Sequence, residues 1–248
     1  MKKEHLISLI VMIALWQLGA GLVQRSVLFP YPGEVVYSLL ALLESKSTYI
    51  SVGYTVLRVF KGFVLSLLTA LVCSIISDES EIFRRLFAPV SILANTIPNI
   101  SYMILALIWL GSEGAVSAVS FFILFPIFYN GFTNSLSQED LRLKDVLKIY
   151  PDSMLEKLRC RTLPLLGYEI LATGRTAASM GLKVGVMAEI LGAVRKGIGR
   201  ELYYAHVNLD TARVLAWTLI IVCVSVVFNI LFTFLIRLRD KEEKAWRS

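Results

Sequence analysis

The chain has 248 residues, of which 56% are hydrophobic and only 18% charged, and its mean hydropathy is +0.67. Soluble domains usually carry about a quarter of charged residues, so this composition excludes a disordered chain, a collagen-like chain and a nucleic-acid-binding domain, in spite of the net charge of +6. The three cysteines are scattered without the spacing of a metal or redox site, which argues against a disulfide framework.

The apolar runs predict a single-domain, all-α membrane protein with six transmembrane helices. A helix needs about 20 apolar residues to cross a bilayer, and several runs without charge meet this requirement. We place the spans at residues 5–24, 54–77, 86–110, 115–137, 164–188 and 213–236. The alternative for the first run is a cleavable signal peptide. Its length and the lack of a small-residue cleavage site favour a retained helix.

The distribution of Lys and Arg predicts the orientation of these spans. With both termini in the cytoplasm, 15 of the 25 Lys and Arg residues fall in cytoplasmic segments and six in outer loops. Basic residues are enriched in cytoplasmic loops of membrane proteins. We therefore expect a multi-pass protein with both termini inside, and we attribute most of its basic charge to this bias.

Polar side chains surround a proline in the third predicted span. Pro98 lacks a backbone N–H and leaves the carbonyl of Ala94 without its helical partner. Asn95 and Asn99 lie on either side of it, and amides at membrane depth usually face protein or water rather than lipid. Two interpretations remain open: these residues line a pathway through the membrane, or they bind a neighbouring helix.

The predicted cytoplasmic loop between the fourth and fifth spans, residues 139–162, is long and amphipathic. Val146, Tyr150 and Met154 recur at the spacing of one helical face, and Pro151 followed by Asp152 suits the first turn of a helix. We expect a helix–break–helix element with an exposed apolar stripe. Such a stripe is typical of a docking surface for another protein.

The fifth predicted span combines a stripe of small residues with two cations. Its glycines, which recur at intervals of 7, 4 and 7 and share one face, are Gly174, Gly181, Gly185 and Gly192. This stripe predicts close packing against another helix, including one across a dimer axis. Arg175 and Lys183 point elsewhere, and cations within a membrane are functional suspects. For Lys183 the alternative is an amine that reaches the outer headgroups.

Four regions of the chain resemble the membrane subunits of binding-protein-dependent ABC importers. The loop residues Asp145-Val146-Leu147, Pro151 and Leu163-Pro164 are similar to that family's EAA loop, although the family has alanines and a glycine where this chain has larger residues and Pro151. The segments that resemble the nitrate/sulfonate/taurine subfamily are Phe29-Pro30-x-Pro32, Thr173–Ala177 and Ala188–Ala193 with Gly197-Ile198-Gly199.

The resemblance implies a permease subunit in the plasma membrane of a prokaryote. A second copy of the chain, two cytoplasmic ATP-binding subunits and an extracytoplasmic solute-binding protein would be its partners, besides membrane lipid. The loop would be the coupling helix that contacts the ATPase, through Asp145, Val146, Leu147, Tyr150, Pro151, Asp152, Met154 and Pro164. ATP and Mg²⁺ would be bound by the partner, and this chain would hold no cofactor or metal. The solute would be small, such as a sulfonate, nitrate or a vitamin precursor, and would pass along Asn95, Asn99, Arg175 and Lys183.

Two other functions remain as alternatives. A secondary transporter that works without an ATPase often shows duplicated halves with broken helices, and the sequence shows no such repeat. A membrane-embedded enzyme would need convergent catalytic groups at membrane depth. We predict no catalytic residue, because both histidines, His5 and His206, lie at predicted ends or loops.

Overall fold

The computed structural model describes residues 3–137 and 162–247, and every regular element within these ranges is a helix. In chain order the helices are α1 (Lys3–Val23), α2 (Pro32–Glu44), α3 (Lys46–Glu79), α4 (Glu81–Thr96), α5 (Asn99–Ser137), α6 (Leu163–Leu191), α7 (Ile198–Val207) and α8 (Thr211–Arg247). The all-α class predicted from the sequence is therefore confirmed for the described part of the chain.

Three of these helices are long and apolar enough to cross a membrane: α3, α5 and residues Thr211–Arg239 of α8. They contain the predicted spans 54–77, 115–137 and 213–236. The predicted first span coincides with α1, whose apolar part is the shorter stretch Ile10–Val23. The predicted fifth span lies inside α6. The protein is thus helical, with the character of a membrane protein.

The third predicted span, 86–110, is not one continuous helix. Helix α4 ends at Thr96, Ile97 has extended backbone angles, and α5 begins after Pro98. A residue before proline avoids the helical region, and proline cannot donate to the helix that precedes it. The carbonyl of Ala94, which the sequence predicts to be freed, accepts a hydrogen bond from the Tyr102 hydroxyl at 3.3 Å.

A second break lies within α5. Gly111 has φ +66° and ψ 178°, which interrupts the helical backbone between the predicted third and fourth spans. Residues with a side chain adopt positive φ at a cost of about 1–2 kcal/mol, so glycine suits this position. The stretch 99–110 is consequently a short rod with a break at each end.

The centre of the fold is formed by α3, α5 and α6. Small residues on α3 allow α5 to approach closely: a Cβ atom on Gly62 would lie 2.4 Å from the Ser117 carbonyl oxygen. Two apolar clusters join α5 to α6, one around Val119 and Val184 and one around Phe128, Phe132 and Leu166. One side of α6 therefore packs against α3 and α5, two of the helices that are long and apolar enough to cross a membrane.

The remaining helices surround this centre. Trp217 of α8 is 1% exposed and packs in a cluster with Leu42 of α2 and Ile198 of α7. Helix α1 contacts α2 and is otherwise exposed; its Trp16 indole donates a hydrogen bond to the Pro30 carbonyl at 3.0 Å. Helices α2, α7 and α8 thus pack together beside the central helices.

Candidate functional site

Helix α6 has a packed side and an open side. On the packed side, Cβ atoms added to Gly185 and Gly181 would lie 2.3 and 3.1 Å from methyl groups of Val59 on α3. On the open side, Arg175, Lys183 and other residues are exposed. The sequence assigns the glycines and the cations to different faces, and the structure has them on different faces.

The four glycines of the predicted packing stripe each lie against another part of the same chain. The neighbours nearest to an added Cβ atom are Phe232 for Gly174, Leu124 and Val59 for Gly181, Val59 for Gly185, and the Ala188 carbonyl and Leu107 for Gly192. Close approach of backbones is what small residues at a helix interface permit. Within one chain this face is therefore occupied by α3, α5 and α8.

Arg175 is held by an asparagine of α8 that the sequence analysis does not single out. Its Nε donates a hydrogen bond to Asn229 Oδ1 at 2.9 Å. The Asn229 amide nitrogen in turn donates to Ser179 Oγ at 3.0 Å and to the Ser225 carbonyl at 3.0 Å. Asn229 is the single amide in the last apolar run of the sequence, and this was the signal that could have identified it.

Arg175 and Asn229 border a cavity of about 340 Å³ between α6 and α8. Arg237 of α8 lines the same cavity, and the other lining residues are Val226, Ile230, Thr233 and Phe234. Among the residues that the structure describes, this lining holds two guanidinium groups and no carboxylate. Its electrostatic character is therefore positive.

Lys183 lies eight residues beyond Arg175 on α6, about 12 Å farther along the helix axis. Its side chain is exposed. Among residues 3–137 and 162–247, no hydrogen bond or ion pair of this amine is recorded. Lys183 is thus an exposed cation on a helix that packs against the apolar helices α3 and α5.

The two asparagines predicted for the pathway lie at the break between α4 and α5. Asn99 is exposed at the first residue of α5, and α4 packs on α3 and α5. The backbone of Asn95 belongs to α4, while its side chain is outside the description. Within the described part of the chain, Arg175 is hydrogen-bonded to Asn229 and not to Asn99.

A different polar group is buried at the end of the bundle where α3, α6 and α7 meet. Arg58 of α3 donates from Nη1 to Glu189 Oε1 of α6 at 2.7 Å and to the Lys196 carbonyl at 2.6 Å. Its Nε donates to Glu113 Oε2 at 2.9 Å. Glu189 also accepts from the Thr55 hydroxyl at 2.8 Å. One arginine is therefore bound by two carboxylates from two other helices.

Two glycines, Gly197 and Gly199, allow the backbone to lie close to the Glu189 side chain. The Gly199 N–H donates to Glu189 Oε2 at 2.9 Å, and Gly197 has φ +149°. An added Cβ atom on Gly197 would lie 2.5 Å from the Glu189 carboxylate, and one on Gly199 would lie 2.4 Å from Glu189 Cβ. The segment Ala188–Gly199, one of those that resemble the importer subfamily, thus contributes Glu189 and the Gly199 N–H to this buried ion cluster.

The residues predicted to contact an ATPase fall almost entirely outside the described ranges. Asp145, Val146, Leu147, Tyr150, Pro151, Asp152 and Met154 lie there, as does the predicted loop 139–162 up to residue 161. Pro164 occupies the first turn of α6, where proline is tolerated because no helical partner is needed for its nitrogen. The proposed coupling role of these residues remains a prediction.

The described residues contain no group of three or more His, Cys, Asp or Glu side chains that could hold a metal ion. Comparison with known proteins adds no assignment: no protein-family model matches the chain, and no curated protein sequence matches it significantly. The resemblance to importer subunits therefore rests on the sequence motifs and enters below as a proposal.

Proposed function

We propose that this chain is the membrane subunit of an ATP-driven, binding-protein-dependent importer, and that the open side of α6, with the adjoining part of α8, lines the path of a small solute. The observation that carries the proposal is the pair of exposed cations, Arg175 and Lys183, on a helix that packs along α3, α5 and α8. The first two of these, and most of α8, are long and apolar enough to cross a membrane.

The energetic cost of a cation at membrane depth supports this assignment. On insertion scales, Lys or Arg near the bilayer centre costs about 2.5–3.5 kcal/mol, so such residues usually face a water-filled cavity or a polar partner. Arg175 has only an amide as its recorded side-chain partner, and the side chain of Lys183 is exposed. A hydrated path along this face would keep both cations solvated.

The importer class is supported by the resemblance of the loop, the Thr173–Ala177 segment and the Ala188–Gly199 segment to the family. The sequence contains no G-x-x-x-x-G-K-[ST] phosphate-binding loop. ATP and Mg²⁺ would therefore belong to a separate cytoplasmic subunit, and this chain would act as a transport subunit rather than an enzyme.

In the proposed arrangement the chain crosses the plasma membrane six times, with both termini in the cytoplasm. The crossings are α1, α3, α4 with the first part of α5, the rest of α5, α6 and α8. Two copies form the pathway, which opens by alternating access. The buried Arg58 cluster then lies at the outer side, near the site where a solute-binding protein docks, and residues 139–162 lie at the inner side.

The coupling role is tested by co-purification of the chain with its ATPase. Tyr150→Asp combined with Met154→Asp should remove the ATPase from the complex and leave membrane insertion intact, because both changes place charge on the proposed docking stripe. Ser153→Asp, which adds a charge beside that stripe, is the control and should retain the ATPase. Wild-type recovery of the ATPase with the double variant would overturn the coupling assignment.

The secondary transporter is separated from the importer by reconstitution. Uptake into proteoliposomes should require the ATPase subunit, ATP and the binding protein together. Uptake by the chain alone, driven by an ion gradient, would instead establish a self-sufficient carrier. A membrane-embedded enzyme would show turnover without net transport.

A further inference from the structure

Hydrogen-bonded polar side chains lie along one side of the cavity between α6 and α8. Arg175, Asn229 and Ser179 form a continuous hydrogen-bonded series, from Nε to Oδ1 at 2.9 Å and from Nδ2 to Oγ at 3.0 Å. The Ser225 hydroxyl also donates to Ser179 Oγ at 3.2 Å. This series fixes the guanidinium from its Nε side, before any ligand is present.

Within residues 3–137 and 162–247, the terminal nitrogens of Arg175 are available to a ligand. Among the described residues, its side chain is recorded in one hydrogen bond, the one from Nε. A planar guanidinium fixed on one side presents the other nitrogens as paired donors, a geometry that matches the oxygens of carboxylate, phosphate or sulfonate groups. Donors held in advance lose less conformational freedom when a ligand binds.

The other residues that line the cavity also suit an anionic ligand. Arg237 supplies a second guanidinium, eight residues after Asn229 on α8 and about 12 Å along the axis. The remaining lining residues are apolar apart from Thr233, and that hydroxyl already donates to the Asn229 carbonyl. A volume of about 340 Å³ suits a small ligand or the polar head of a larger one.

We propose that Arg175, Asn229 and Arg237 form a binding site for an oxyanion group: a sulfonate, phosphate or carboxylate. Arg175 and Arg237 bind the anion, and Asn229 is a positioning residue that orients Arg175. As a statement about the solute, this rests on the proposed transport function. As a binding site it is independent of transport, because the headgroup of an anionic lipid offers the same oxygens.

Thermal unfolding of the purified full-length chain in neutral detergent tests the site. A ligand that binds only the folded state raises the unfolding temperature, and the shift grows with the ratio of free ligand concentration to Kd. One arm adds methanesulfonate or inorganic phosphate, with chloride at equal ionic strength as reference. The other compares phosphatidylglycerol with phosphatidylcholine. A shift with the free oxyanions identifies a solute site, and a shift with phosphatidylglycerol alone identifies a headgroup site.

The variants separate binding from general charge effects. Arg175→Gln should weaken binding of the effective probe by about tenfold or more, and Arg237→Gln should weaken it less. Lys61→Gln removes an exposed cation of α3 outside the cavity and should leave the shift unchanged. No shift with either class of probe, or an equal loss in Lys61→Gln, would overturn the proposal.

Asn229→Asp tests the positioning role. The new carboxylate would keep the contact with Arg175 and pair with its charge, but it would lose the two hydrogen bonds that the Asn229 amide nitrogen donates. The probe-induced shift should therefore disappear, and the unfolding temperature without probe is measured as the reference. A variant that keeps the full shift would contradict the assigned role of Arg175. Uptake that still depends on ATP after loss of this site would leave the importer proposal intact and remove only the oxyanion assignment.

Discussion

Two arginines of the bundle, Arg58 and Arg175, have opposite surroundings. Arg58 is 6% exposed and is bound by two carboxylates and a backbone carbonyl. Arg175 is exposed and is bound by one amide oxygen. The first arginine is neutralised where it lies, so it ties three helices together. The second keeps its charge, which leaves it available for an anion.

The comparison explains why both arginines are compatible with an apolar bundle. A buried ion pair contributes little net stability against an apolar replacement, but removal of one partner leaves an uncompensated buried charge. The Arg58 cluster therefore makes the position of α6 relative to α3 depend on a complete set of partners. The four predictions below test this contrast, in order of decreasing effect on stability.

The largest effect is expected from Arg58→Met. This change leaves the carboxylate of Glu189, which is 0% exposed, without its cation, and should cost about 3–5 kcal/mol in the free energy of unfolding. The measurement is unfolding of the purified chain by denaturing detergent. Arg58→Met combined with Glu189→Met should recover much of the loss, because no unpaired charge is then buried. A double variant as unstable as the single one would contradict the ion-pair explanation.

Gly185→Leu should cause the second-largest loss in the free energy of unfolding. Even its Cβ atom would lie 2.3 Å from Val59 Cγ2, so α6 has to move away from α3. Overpacking of this kind typically costs about 1–3 kcal/mol. Adding Val59→Ala in the same chain should restore part of the stability by making room. Gly33→Ala, at a position with no atom within 4 Å of the added carbon, serves as the control and should be nearly neutral.

Glu113→Gln sharpens the comparison within the Arg58 cluster itself. The Glu113 side chain is 54% exposed, whereas that of Glu189 is 0% exposed. Exposed ion pairs contribute about 0–1 kcal/mol and are screened by salt. The loss of stability should therefore be at most about 1 kcal/mol and should shrink at high ionic strength. A loss as large as that of Arg58→Met would mean that Glu113, not Glu189, neutralises the arginine.

Lys183→Met should change stability least. Exposed residues without recorded partners usually contribute within about 0.5 kcal/mol. If the open side of α6 lines the pathway, however, this variant should lose most of its uptake while the complex still assembles and its basal ATPase activity persists. Uptake at the wild-type rate would make Lys183 an interfacial anchor. Lys61→Met, on α3, is the matched removal of an exposed lysine.

The sequence predicts local features of this fold well and long-range pairings poorly. Apolar length predicts α3 and α8, and Pro98 predicts the freed Ala94 carbonyl, because both depend on neighbouring residues. No local pattern could join Arg58 to Glu189, which lie 131 residues apart, or Arg175 to Asn229, which lie 54 apart. The sequence predicts one continuous span at residues 86–110. Pro98 and Gly111 instead divide that region into separate segments.

The separation between Arg58 and Glu189 also has a consequence during biosynthesis. At about 5–20 residues per second, the 131 residues between them take roughly 7–26 s to synthesise. During that interval Arg58 lacks its partner, the carboxylate of Glu189. The place of Arg58 near the start of the predicted span 54–77 allows the long side chain to reach water in the meantime. Final closure of the α3–α6 contact is thus expected to follow the emergence of α6, which makes this ion pair a late event in the maturation of the chain.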